Sequence, residues 1–223
     1  NCQPTHAILL SWPGLPNYQD TFHITRNLPA CIELIEQLVE AGLNRLIVAG
    51  TCYEYGMQNG PLKENQLTDP VNCYAIAKDT LRRVIASRYS KQRLDWCWVR
   101  IFYTFGHGQN PKSLLPSLHR ALENNEEFFP MSSGRQLRDF IEVEDVASQL
   151  LVLAMHQDAS GIYNSGSGIP RSVFEMAEEV VLSHKGKIDL RRGVYPDRDD
   201  EAVAFWAHMD KFHALQVIPQ THR

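Results

Sequence analysis

The chain has 223 residues and a formal net charge of −4, with 43% hydrophobic and 22% charged residues. This is the composition of one large globular domain, or of a domain with a small lobe, and it excludes a largely disordered chain. The charge offers no basic footprint for nucleic acid and no polybasic membrane patch, and no apolar run reaches the roughly 20 residues of a spanning helix.

In chain order, Ala7–Ser11 ("AILLS") is a short continuous apolar run, as in a buried strand. The loop "WPGLPNY" follows. A helical pattern runs from about Thr21 to Ala41, with Leu34, Ile35, Leu38 and Val39 on one face, Pro29 at a kink or helix start and Gly42 as the C′ residue. Arg45–Gly50 reads as a second strand, the stretch holding Tyr74 and Lys78 as a helix, and Leu94–Ile101 as a third strand. Strand, helix, strand, helix, strand at this spacing predicts βαβ units on a parallel sheet.

The later half changes rhythm. Helices are predicted over Ser113–Asn124 and Val143–His156, and from an N-cap at Ser172 to about His184. Short strands are predicted within Glu126–Met131 and over Gly161–Asn164 and Lys187–Leu190. No G-x-G-x-x-G turn is present; "NSGSGIP" (Asn164–Pro170) lacks the third glycine and reads as a loop. The five cysteines, Cys2, Cys31, Cys52, Cys73 and Cys97, are odd in number and widely spaced. With no signal-peptide pattern at Asn1, they read as reduced thiols, and a cytoplasmic protein is expected. The histidines lack zinc-ligand spacing, so no metal is expected.

Tyr74 and Lys78 stand at i, i+4, on one helix face. They are either a partly buried phenol and a surface ammonium, or a proton-transfer pair. In the second case the ammonium favours the phenolate and lowers the tyrosine pKa. Thr51 ends the second strand, at the edge where open α/β sheets bind ligands. Its hydroxyl either caps a turn or bonds the oxygen that Tyr74 serves. Cys52, Tyr53, Glu54 and Tyr55 read as loop packing and a solvated carboxylate.

Seven segments, in order, resemble the extended short-chain dehydrogenase/reductase family, the NAD(P)-dependent epimerases, dehydratases and reductases of nucleotide sugars. They are "LLSWPG"; "TCYEYG" for Ser/Thr-x-x-x-Tyr-Gly; "PVNCYAIAK" for Pro-x-x-x-Tyr-x-x-x-Lys; "VRIFYTFGHGQ" for Arg-x-x-Asn-x-x-Gly-Pro-x-Gln; "RDFIEVEDVA"; "GIYNSGSGIPRSVFEMAE"; and "RDDE" followed by "MDK". The family's first strands and glycine-rich turn have no counterpart in the sequence.

The resemblance implies an incomplete Rossmann-like parallel sheet over 1–104 and a smaller α+β substrate lobe over 105–223, with 139–165 returning to the core. It implies Thr51, Tyr74 and Lys78 as catalytic residues. NAD or NADP would lie against Leu10, Ser11, Tyr74, Lys78 and Ile101, and a nucleotide-diphosphate sugar against Tyr103, Arg138 and Arg198. Tyr103 departs from the family's Asn. Cys52 and Tyr53 replace the Asp-Glu of the 4,6-dehydratases, which argues against dehydration. The implied activity is oxidation or reduction at C4 of a 6-deoxy nucleotide sugar, as in dTDP-6-deoxytalose 4-dehydrogenation, with 4-epimerisation or a truncated, non-catalytic scaffold as alternatives. The helices after the first two strands present are expected to form a homodimer interface.

Overall fold

The computed structural model describes residues 3–89, 94–184, 187–197 and 202–216. The first half contains β1 (His6–Leu9), α1 (Leu28–Glu40), β2 (Arg45–Thr51), β3 (Gly60–Leu62), α2 (Cys73–Tyr89), β4 (Asp95–Ile101) and β5 (Tyr103–Phe105). The second contains α3 (Leu114–Glu123), β6 (Phe128–Pro130), β7 (Leu137–Glu142), α4 (Val143–Met155), β8 (Gly161–Ser165), β9 (Pro170–Ser172), α5 (Val173–Ser183), β10 (Asp189–Arg191), β11 (Phe205–Ala207) and α6 (Asp210–Gln216).

The main sheet is parallel throughout, in the order β1-β2-β4-β8. β2 is buried along its whole length because helices cover both faces. Its side chains alternate between two cores. Leu46 and Val48 pack with Ile35 of α1 and with Leu81 and Ile85 of α2. Ile47 joins Leu150 and Leu153 of α4 on the other side. Arg45 opens β2 and is itself buried, donating to the carbonyls of Leu153, His156 and Ala159 at 2.6, 2.7 and 2.9 Å. It thereby satisfies carbonyls left unpaired where α4 ends.

Pro29 lies in the first turn of α1, where its missing N–H has no helical partner to lose. Gly42 follows the helix with φ +99°, the left-handed conformation that ends it. The buried stripe of α1 is narrower than its sequence suggests: Cys31 and Ile35 are buried, while Leu34 is 40% exposed. Ser172 caps α5 as predicted, exchanging bonds with Glu175 at 3.0 and 2.7 Å.

A third core lies between α3 and α5, where Leu115, Leu118, Met131, Met176 and Val180 pack beneath the β6–β10 pair. After α4 the chain returns to the main sheet as β8, beside β4. Short ladders, β5-β7-β9 and β11-β3, complete the described strands. Among the described residues no helix is long and apolar enough to cross a membrane.

Candidate active site

The C-terminal edge of the main sheet carries the candidate residues. Thr51, Ile101 and Ser165 end β2, β4 and β8 in register. Leu10 and Ser11 follow β1 and are exposed. Thr51 also caps the short 3₁₀ turn Cys52–Tyr55: its hydroxyl accepts the Tyr53 N–H at 3.3 Å. Capping and acting on the phenol are compatible roles, because the Thr51 side chain also favours the ionised form of Tyr74.

Tyr74 lies in the first turn of α2. The Asn72 carboxamide accepts the Ala75 N–H at 2.9 Å, and the Tyr18 carbonyl accepts the Tyr74 N–H at 3.0 Å. The Pro-x-Asn preceding Tyr74 is thus the helix cap that fixes the phenol's starting angle. The Tyr74 ring lies among Trp12, Tyr18 and His23, with centroids 6.1, 5.7 and 5.4 Å away.

Lys78 is 3% exposed, so it is not a surface ammonium. Its Nζ donates to the Ala49 carbonyl at 2.7 Å and lies 4.0 Å from the Trp12 ring centroid. Trp12 is held from behind: its Nε1 donates to His23 Nδ1 at 3.0 Å, and His23 Nε2 donates to the Asn17 carbonyl at 2.9 Å. Burial pulls the Lys78 ammonium down to about 8, with Cys31 and Glu54 opposing.

The expected effect on Tyr74 is reversed. Burial pushes its phenol above the ordinary tyrosine range, and the neighbouring Thr51 side chain only partly offsets this. The Lys78 nitrogen is 5.9 Å from the Tyr74 centroid and bonded to Ala49, so desolvation outweighs it. The Tyr74 phenol keeps its proton at neutral pH.

Glu54 is not a solvated carboxylate. It is fully buried, bonded to the Thr51 N–H, the Trp98 indole and Arg100. Trp12 and Asn72 were given no role in the sequence, and Glu54 was read only as a solvated carboxylate. The only local signals were a tryptophan directly after a strand, a carboxylate three residues past Thr51, and an Asn preceding a helix.

Tyr103 and Arg138 come together away from Lys78. The Tyr103 and Tyr53 hydroxyls are 3.1 Å apart. Arg138 is 3% exposed, stacked 4.6 Å over Phe205 and 5.5 Å over Tyr103, and its Nη1 donates to the Leu137 and Val203 carbonyls at 2.9 and 3.1 Å. Arg198 lies outside the described residues. A cavity of about 310 Å³ opens beside Cys52 and Tyr53, lined also by Tyr18, Met57, Asn72 and Phe205. The "NSGSG" loop is organised by a carboxylate: buried Asp139 accepts from Ser167 N–H, Gly168 N–H and Ala207 N–H at 2.7, 2.9 and 3.0 Å. A β-carbon on Gly166 would lie 2.5 Å from Asp139 Oδ2, which accounts for that glycine.

Residues 15–166 match the NAD dependent epimerase/dehydratase family. A dTDP-6-deoxy-L-talose 4-dehydrogenase (NAD⁺) from Aggregatibacter actinomycetemcomitans is 31% identical over 198 residues, 88% of this chain and 73% of the relative. A dTDP-D-glucose 4,6-dehydratase from Mus musculus is 26% identical, over 84% of this chain and 54% of its own length, so this chain spans about half of that relative. Among solved structures, MoeE5 in complex with UDP-glucose and NAD superposes with a TM-score of 0.80 at 25% identity, covering 98% of this chain and 75% of that one. A UDP-N-acetylglucosamine 4-epimerase from Methanobrevibacter ruminantium superposes with a TM-score of 0.82 at 22% identity, over 97% and 71% of the two chains, and shares the fold. The chain belongs to the NAD-dependent epimerase/dehydratase family of nucleotide-sugar enzymes.

Proposed function

We propose that this chain carries the proton-transfer half of an NAD(P)-dependent oxidoreductase that acts at C4 of a nucleotide-linked 6-deoxy sugar. The observation that carries the reading is the grouping of Thr51, Tyr74 and Lys78 at one sheet edge, with the Thr51 side chain acting on the Tyr74 phenol and Lys78 held by the Ala49 carbonyl. The 31% identity to a dTDP-6-deoxy-L-talose 4-dehydrogenase supports the choice of sugar class. Cys52 and Tyr53, in place of the Asp-Glu of dehydratases, support redox chemistry over elimination.

The residues fit a nicotinamide nucleotide. The Lys78 ammonium has three donors, and one carbonyl accepts from it. Its remaining N–H groups suit a ribose diol. Leu10 and Ser11 after β1, and Ile101 at the end of β4, would flank that nucleotide. When bound, the nicotinamide supplies or accepts the hydride. These residues would serve the nicotinamide end of the nucleotide.

Tyr74, protonated at neutral pH, donates its proton to a C4 carbonyl oxygen. Thr51 bonds the same oxygen and orients it toward the phenol. Once Tyr74 has given up its proton, the nearby Lys78 ammonium stabilises the resulting phenolate. Arg138, whose guanidinium lies beside Tyr103, would pair with the sugar's diphosphate.

The test has two steps. NADH is titrated into the chain, followed by nicotinamide fluorescence, with Lys78→Ala as control. A dTDP-4-keto-6-deoxyhexose is then added and absorbance at 340 nm is followed. Binding that weakens in the variant, with NADH consumed one-for-one with sugar, supports the proposal. Isomer interconversion without net NADH loss replaces it with an epimerase. Unaltered NADH binding in Lys78→Ala overturns the assignment of that residue.

A further inference from the structure

Glu54 has no solvent contact, yet it gathers a backbone N–H, an indole N–H and a guanidinium. It follows Thr51 in the 3₁₀ turn and is fully buried. Its Oε1 accepts the Thr51 backbone N–H and the Trp98 indole N–H, both at 2.9 Å. Its Oε2 accepts Arg100 Nε at 2.9 Å, with Arg82 Nε 3.9 Å away. Arg100 is 1% exposed, stacks 4.3 Å over the Tyr55 ring, and donates from Nη1 to the Glu64 carbonyl at 3.3 Å.

The strand is adapted to this arrangement. A β-carbon on Gly50 would lie 2.2 Å from Trp98 Nε1 and 2.6 Å from Glu54 Oε1. The indole and carboxylate therefore occupy the space a side chain would take, directly beneath the residue before Thr51. Trp98 and Arg100 are rigid reference points, since both belong to β4, which pairs with β2 along its length. The carboxylate transfers their position to the last N–H of β2.

We propose that Glu54 is a positioning residue. By fixing the Thr51 backbone N–H against Trp98 and Arg100, it aims the Thr51 hydroxyl at the Tyr74 phenol and at the substrate oxygen between them. A threonine at a strand's end followed by a turn has a soft backbone; here one carboxylate removes that freedom. The catalytic consequence rests on the role of Thr51 proposed above, whereas the anchoring of its amide does not.

Two variants separate positioning from packing. Glu54→Gln keeps an oxygen acceptor for the Thr51 N–H. The double variant Glu54→Met with Arg100→Met replaces the ion pair with apolar groups of similar volume, an exchange that buried pairs often tolerate. Amide hydrogen exchange is followed at Thr51 and, as an internal reference, at Val48, together with kcat and KM for the nucleotide sugar. In the double variant Thr51 exchange is expected to rise at least ~10-fold while Val48 stays protected. Turnover is expected to fall roughly 10–100-fold with KM little changed, the scale of a misplaced group. Glu54→Gln should retain most of both. Equal Thr51 protection in the double variant and wild type overturns the proposal, as does a Gln variant as impaired as the double. If the double variant does not fold, Glu54→Gln decides alone: retained Thr51 protection and turnover support positioning, and loss of both overturns it. If no turnover is found in wild type, the amide result still stands and the functional reading fails separately.

Discussion

Glu54 and Lys78 are both buried charged groups bonded to the end of β2, and the chain surrounds them differently. Glu54 receives a backbone N–H, an indole N–H and a guanidinium, one of them across 46 residues of sequence. Lys78 receives one carbonyl and the face of a tryptophan. A fully satisfied buried charge is committed: its bonding capacity is spent on holding neighbours still. An ammonium with unused donors retains capacity for a ligand, and the fold bears the desolvation in advance. Where one fold contains both, the saturated charge marks the frame and the unsaturated one marks the site.

The largest expected effect lies on the saturated side. Arg100→Met leaves the Glu54 carboxylate buried without its cation and should lower stability by about 3–5 kcal/mol in urea unfolding. A loss below ~1 kcal/mol would mean that the pair is not the frame. On the site side, Tyr74→Phe removes the proton donor with little change in packing. Turnover should fall roughly 10²–10⁴-fold with unfolding midpoint and NADH affinity nearly unchanged; a fall in stability of the same size would make Tyr74 part of the frame instead.

The Lys78 prediction is one of pH. Its pKa is about 8 in the fold against an ordinary 10.5, so between those values the unfolded chain binds more protons. The contribution of Lys78 to stability therefore rises with pH, because the burden of a buried ammonium is present at pH 7 and fades above pH 8. The stability of wild type minus that of Lys78→Met should increase by on the order of 2–3 kcal/mol from pH 7 to 10. A pH-independent difference would show that the ammonium is better satisfied than its single carbonyl suggests. The smallest effect is at Gly50→Ala, which crowds Trp98 and Glu54 and should cost about 1–3 kcal/mol, measured by the same unfolding series.

The parallel sheet was readable because its strands are continuous apolar runs between helical patterns, as in "RLIVAG". Tyr74, Lys78 and Thr51 were readable because i, i+4 spacing and a strand end place residues without reference to the rest of the chain. Two properties of the same residues were not. The sign of the Tyr74 shift depends on Trp12, Tyr18 and His23 closing over it, which are remote in sequence. The burial of Glu54 depends on Trp98 and Arg100, which look like ordinary strand residues until β4 pairs with β2. β5, β7, β9 and β11 had no clear signal, because ladders of three to six residues are defined by partners distant in the chain. Arg138 was legible as a guanidinium in a patterned segment, but its stacking on Phe205 was not.

The absent side chain at Gly50 has a consequence for descent. Its vacancy is filled by an indole from one segment and a carboxylate from another, so the three positions are sterically coupled. A lineage that acquires a β-carbon at 50 gains stability by also replacing the tryptophan at 98 or the glutamate at 54 with a smaller residue. Among sequences of this kind, positions 50, 54 and 98 should therefore change together or not at all.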